Sequence, residues 1–344
     1  MNSDVPTSAS TVCLAISNVG NVDLECGGHH VPTLLIQNSH DIHIANCTQD
    51  DGASTAWCQQ SVGAAININV VDVHVLFSFD VQNSVNVTAT TSTFGCGRVN
   101  KSQQVTITNN HLTNDWRIIQ ASVLSFSGNH LEHFGTYGLT LSNGMNNSVV
   151  NNQIIGGWDG RSETGVLYDL QHPDDGIVVD DEQGDSITDN VIQNVFDAGI
   201  ESLDSSLGNL LAKNNISNAG MAGFAAYFGT SWDGNTISGN HVSNSHFFMV
   251  GLSDAAYGML IAPLGFTNTV IEGNTSDSGL LMRFTVPASN NIIRNNNFGN
   301  TAWTLEPAAG FVDGGGNVCF SAPSFTCLHG GTTSVRRRWS RSQF

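Results

Sequence analysis

Apolar and polar residues alternate along this chain in short bursts, and the bursts recur. A phrase of the form apolar-x-x-Asn-x-apolar returns as TITNNHL, SFSGNHL, SVVNNQI, SITDNVI, LLAKNNI, TISGNHV, VIEGNTS and IIRNNNF. One Asn per phrase gives Asn110, Asn129, Asn152, Asn190, Asn215, Asn240, Asn274 and Asn296, with spacings of 19, 23, 38, 25, 25, 34 and 22. The same units carry Gly followed by alternating apolar residues: YGLTLSN at 137–143, DGIVVDD at 175–181, AGIESLD at 198–204, AGFAAYF at 222–228, YGMLIAP at 257–263 and SGLLMRF at 278–284. Period-two alternation bounded by Gly and Asn describes short strands, not helices. Several strands per unit of about 22 residues, stacked at about 4.8 Å, predict an all-β, single-stranded parallel β-helix with two inserted loops. Propeller blades need about 40 residues each, which this period excludes.

The repeats run from about residue 30 to 320, so residues 1–330 are expected to form one β-helix domain and 331–344 a basic, disordered tail. Composition agrees. Only 12% of residues are charged, and their place is taken by 37 Asn and 36 Gly, both poor in helix interiors and frequent at turns. With 40% hydrophobic residues the chain still buries a core. There are 29 acidic against 11 basic side chains, and four of the bases (Arg336, Arg337, Arg338, Arg341) sit in the tail. Such a surface repels phosphate backbones and anionic lipid, so neither nucleic acid nor a membrane span is expected.

Seven cysteines fall as three close pairs, 13/26, 47/58 and 319/327, each able to staple a short loop, with Cys96 left over. Disulfides imply an oxidising compartment, and the expected location is secreted or periplasmic. No basic segment followed by an apolar run opens the sequence, so no signal peptide is expected in it.

Aligning the units on Gly sorts the strand faces by parity. Positions one and three after Gly are apolar and face in: Leu139/Leu141, Ile177/Val179, Ile200/Ser202, Phe224/Ala226, Met259/Ile261 and Leu280/Met282. Positions two and four face out and place Asp180 and Glu201 on adjacent rungs, then Tyr227 and Arg283 further along. Asp181 and Asp204 take matched rung ends, and Asp175 and Asp197 matched rung starts. Both long intervals, Asn152 to Gly176 and Asn240 to Gly258, are expected to enter the same corner, just before the outward strand. The loops carry Trp158, Arg161, Tyr168 and His172 in the first and His246, Phe247 and Phe248 in the second, able to wall a groove over the acids. Rings beside carboxylates suit a sugar, and two stacked carboxylates can divide the roles of acid and base or nucleophile.

These rungs resemble the right-handed parallel β-helix repeat proteins, the superfamily of pectate lyases, polygalacturonases and alginate epimerases. The resemblance implies fold more than chemistry, because the fold carries hydrolases, lyases, epimerases and adhesins alike. Against polygalacturonases, PDDGIVVDD puts Asp175 on an acid of the family's first motif, and NVFDAGIESL puts Asp197 on the first acid of the second motif but Ala198 on the other. AGMAGFAAY has Ala222 where the family's His belongs, and no RIK follows. That departure argues against pectin hydrolysis by the same machinery.

The expected activity is cleavage of glycosidic bonds in a polysaccharide, with Asp180 and Glu201 leading as acid and base. Asp181, Asp204, Asp175 and Asp197 are alternates, and Tyr227, Trp158, Arg283, His172 and Arg161 are substrate-binding residues. The scarcity of nearby bases favours a neutral glycan, and no cofactor is required. A uronate lyase or C5-epimerase is the alternative; it would use calcium, for which Asp174, Asp175, Asp180 and Asp181 supply oxygens. A non-enzymatic glycan-binding or adhesin module is the other, and outward Leu203, Leu260 and Leu281 leave either a monomer or a homotrimer open. The histidines at 29–30, 40, 43, 130 and 133 read as turn residues, since His130 and His133 do not share one face of a strand.

Overall fold

The computed structural model of the chain describes residues 14–29, 34–48, 79–158, 173–226, 231–252, 265–284 and 287–328. Among them the only helical piece is a 3-10 turn at Ala308–Gly310. A full rung adds one strand to each of three sheets. His130–Glu132 lies in the third sheet, Tyr137–Ser142 in the first and Ser148–Val150 in the second. The next rungs repeat the order as Gln153–Ile155, Asp175–Gln183 and Ser186–Thr188, then Val191–Val195, Ala198–Leu207 and Leu210–Ala212. Neighbouring rungs pair in parallel. The chain is a parallel β-helix, as its periodicity predicts.

Parity sorts the first sheet correctly. Leu139, Ile177, Ile200, Phe224, Met249 and Leu280 stack in register and are buried. Each contributes roughly 1.5–3 kcal/mol of apolar burial to its rung. Nearer the C-terminus an aromatic column fills the interior, Phe224 to Phe248 to Phe298 to Trp303, with centroids 5.3, 4.5 and 5.2 Å apart.

The recurrent Asn builds one corner. Asn152 N donates to Asn190 Oδ1 at 3.0 Å, Asn190 N to Asn214 Oδ1 at 3.1 Å, and Asn214 N to Asn240 Oδ1 at 2.8 Å. Each Nδ2 also donates to a strand carbonyl, as Asn190 does to Val149 O at 2.9 Å. These amides are buried, so the bonds replace the water that the turn backbone would otherwise need. The ladder residue of the KNN turn is Asn214, not Asn215. Lys213 takes the left-handed position (φ 55°) that precedes each ladder Asn, and Asn215 opens the next strand, exposed.

The second long interval is also placed differently from the expectation. The strand after Asn240 in the first sheet is Phe247–Leu252, with Met249 in register with Phe224 and Leu280. Phe248 is therefore a core residue, not a loop wall. The first long interval precedes its first-sheet strand and the second follows it, so they do not enter the same corner. The expected inward pair Met259/Ile261 and outward Leu260 lie outside the described residues, as do the tail, Tyr227, His172 and Arg161.

Cys319 pairs with Cys327, as their spacing suggests. Cys26 pairs with Cys47, however, which rules out both 13/26 and 47/58, and Cys96, expected to be left over, is disulfide-bonded too. The reason is geometric: Cys26 and Cys47 are 21 residues apart, one rung, so their Cα atoms lie 4.8 Å from each other.

Candidate active site

At the corner where the chain enters the first sheet, the third sheet's inward residues crowd against the backbone. A Cβ at Gly176, Gly199 or Gly223 would collide with the γ-methyl of Ile192, Ile216 or Val242 and with a carbonyl of the next rung. Only glycine fits this column. The residues flanking it are thereby held at a fixed rung-to-rung spacing of about 4.8 Å.

Four carboxyls flank the column on two adjacent rungs: Asp174 and Asp175 on one, Asp197 and Glu201 on the next. Asp197 N donates to Asp174 O at 2.8 Å, and Ala198 N donates to Asp175 Oδ1 at 2.9 Å. Asp175 and Glu201 are 1% and 4% exposed, and their carboxyls are within hydrogen-bonding reach of each other. Two carboxylates only accept, so the contact, and the otherwise unpartnered buried Asp175 Oδ2, require one shared proton. Burial raises Glu201 to about 8, with the charges of Asp197 and Asp174 adding, while its hydrogen bond with Asp175 works in the opposite direction. Burial, then Glu201 and Asp197, push Asp175 well above the ordinary carboxylate range. Asp174 and Asp197 are half-buried at the rim. Burial and the neighbouring Asp197 raise Asp174 to about 7.

Asp180 is not part of this group. Val178 is the residue in register with Glu201, and Asp180 pairs with Leu203. The two expected partners are thus offset by two residues along the strands, roughly 7 Å. Asp180 joins Asp181 and Asp204, with one oxygen of each lying within 4.8 Å of the others. Its carboxylate accepts from Ser142 Oγ at 2.9 Å, yet burial raises it to about 6, with Asp204 and Asp181 adding. Asp181 and Asp204 are exposed, at φ 52° and 50°, in the turn slot that Asn18, Asn38, Asn83 and Asn143 fill on other rungs. Asn and Asp tolerate this left-handed conformation, which accounts for both acids without chemistry.

Trp158 sits at the quartet's corner, edge-on to Phe196 at 6.2 Å, and Phe196 precedes Asp197. Arg283 lies on the third rung beyond Glu201 and is engaged by Glu306 at 2.8 Å. Three features escape a parity reading. Asp174 appears in the sequence only as a spare oxygen ligand. Tyr137 lies in register directly before Asp175, and Arg117 lies in the outward row of Glu201, two rungs back from Val178. Arg117 is mostly buried beside Asp115, and its neighbour Arg98 is paired with Asp80 at 2.6 Å.

The family profile described as periplasmic copper-binding protein (NosD) matches residues 20–232, more than half of the chain. The chain belongs to the NosD family. A second profile, right handed beta helix region, matches residues 175–329 of the NosD-family chain and agrees with the right-handed winding its repeats imply. No curated protein matches it. Among solved structures, PfbA, a surface adhesin of Streptococcus pneumoniae, is 12% identical with a TM-score of 0.51, covering 87% of this chain and 84% of its own. The periplasmic alginate epimerase AlgG is 10% identical with a TM-score of 0.50, covering 91% and 77%. An exopolygalacturonase from Thermotoga maritima is 10% identical with a TM-score of 0.48, covering 71% and 68%. At these identities the likeness is one of fold, a parallel β-helix. Among the described residues no helix is long and apolar enough to cross a membrane.

Proposed function

We propose that this NosD-family chain is a secreted or periplasmic enzyme that cleaves glycosidic bonds of a polysaccharide, with Asp174 and Asp197 as its acid and base. The observation that carries the reading is the grouping of four carboxyls, two of them buried, on two adjacent rungs. A carboxyl raised to about 7 keeps a proton available at neutral pH, and its rim neighbour Asp197 on the adjacent rung is placed to activate water or attack the sugar. Behind them Asp175 and Glu201 share one proton, so the pair buries one negative charge instead of two. Trp158 gives the sugar an apolar ring beside the acids. Asp80 pairs with Arg98 at 2.6 Å, which weakens the attraction for a uronate and supports a neutral glycan.

The test is a panel of neutral and uronate polysaccharides incubated with the full chain, with products identified by mass. Hydrolysis products are expected, with kcat/KM falling as pH rises through about 7 because the acid must be protonated. Asp174→Asn and Asp197→Asn should each lower kcat by about 10²–10⁴. Full activity in both variants, or no product from any glycan, overturns the proposal. Unsaturated products lost on chelation would instead mark a calcium-assisted lyase using Asp180, Asp181 and Asp204.

A further inference from the structure

Outside the acid corner, the third sheet carries a second group of chemistry-bearing side chains. His111 and His130 open strands on adjacent rungs and stand in register, their rings stacked with centroids 5.4 Å apart. Glu132 lies two residues beyond His130 and so shares its face of the sheet. His111 Nε2 is 2.8 Å from Glu132 Oε1, and His130 Nε2 is 3.2 Å from Glu132 Oε2.

We propose that His111, His130 and Glu132 form a binding site for one divalent transition-metal ion of the imidazole-preferring kind, copper(II) or zinc(II). Three observations support it. First, one ligand atom from each of the three residues lies within 4.8 Å of the other two. Donors about 2.0–2.1 Å from a shared tetrahedral ion stand about 3.3 Å apart, so the 2.8 and 3.2 Å contacts of these partly exposed side chains need only open by a few tenths of an ångström. Second, the next rung supplies an orienting group. Gln153 Oε1 is 2.9 Å from His130 Nδ1, which holds the ring with its Nε2 toward Glu132. Third, both Nε2 atoms face a carboxylate. Two neutral imidazoles and one carboxylate leave a divalent ion a single net positive charge and an open position for water.

Sequence spacing hides the site because its second imidazole is 19 residues away, one rung back, and not at the HxxH position. His133 comes no closer to Glu132 than 3.8 Å. The site stands on a different sheet from the carboxyl quartet and does not depend on the glycan reading.

The test is titration of the chelator-treated full chain with copper(II) sulfate alone and zinc chloride alone, at pH 7.5, by calorimetry. Nitrogen coupling in the copper spectrum reports imidazole ligation. One tight equivalent is expected; His111→Ala with His130→Ala should remove it, and Gln153→Leu should weaken it by about tenfold. Circular dichroism and Tm confirm folding, and in the wild-type chain the metal should protect His111 and His130 from acylation of the imidazole, read by mass spectrometry. No binding by the wild-type chain, an undiminished tight equivalent in the double variant, or acylation of both histidines unaffected by metal overturns the proposal.

Discussion

The paired strands Asp175–Gln183 and Ala198–Leu207 carry acids at both ends, and the two ends differ in cause. At the far end Asp181 and Asp204 occupy a left-handed turn that Asn fills on other rungs, and they face solvent. At the near end Asp174, Asp175, Asp197 and Glu201 occupy no position that demands a carboxylate, two of them are buried, and burial raises Asp174 to about 7 and Glu201 to about 8. Acid content alone does not distinguish the ends. Backbone conformation and desolvation do. A carboxylate kept where the fold does not need it, at a cost in stability, is the one with chemistry to perform.

Five substitutions break or sharpen that contrast. The largest effect belongs to the near end: Asp174→Asn loses about 10²–10⁴ in kcat on the cleaved glycan with Tm unchanged, whereas Asp181→Asn keeps full turnover. Next comes Asn190→Ala in the ladder. It strips acceptors from the Asn152 N–H and Nδ2 at 3.0 and 2.9 Å, and chemical denaturation should show a loss of about 3 kcal/mol or more.

A smaller effect of opposite sign is expected at Asp185, which holds the slot of a second Asn column between Asn147 and Asn209. Burial and Asp185 raise Glu182 to about 9, and Asp185 Oδ2 is buried without a partner. Asp185→Asn lets an amide N–H satisfy Glu182 and should stabilise the fold by about 1 kcal/mol at pH 8. The sign with pH follows from proton count. With carboxyls raised above their unfolded values of roughly 4, the folded state binds more protons than the unfolded one, so stability falls as pH rises from about 4 through 9. The same variant should flatten that slope in Tm against pH. Smallest is Asp204→Asn, expected within about 0.5 kcal/mol of wild type.

The fold was legible because Asn and Gly mark its corners once per rung, a signal that survives uneven loops. Asp175, Asp197 and Glu201 were legible as members of one acidic region. The pairing of Asp180 with Glu201 was not, because parity reports a face but not a register, and register puts Val178 opposite Glu201. The second insertion was misplaced because FFMVGL carries no Gly before its apolar alternation, whereas YGMLIAP imitates the phrase. The disulfide Cys26–Cys47 and the pair His111 and His130 share a third cause. Contacts in a β-helix fall one rung away, near 20 residues, and a search for near neighbours in sequence passes over them.

The Asn column also has a head and a tail. Every N–H to Oδ1 bond in it runs the same way, from the earlier rung to the later one, while each Nδ2 also reaches back to a strand carbonyl of an earlier rung. Removing a rung at the N-terminal side takes that carbonyl from one Nδ2, whereas the rung at the C-terminal side supplies the acceptor for both a backbone N–H and an Nδ2. Removing one at the C-terminal side leaves hydrogens with nothing to accept them, which folded proteins rarely allow. Asn317 ends the column by giving its Nδ2 to Ile293 O at 3.0 Å and Asp313 Oδ1 at 3.1 Å. The cylinder is directional, and shortening it strands fewer hydrogens at its beginning than at its end.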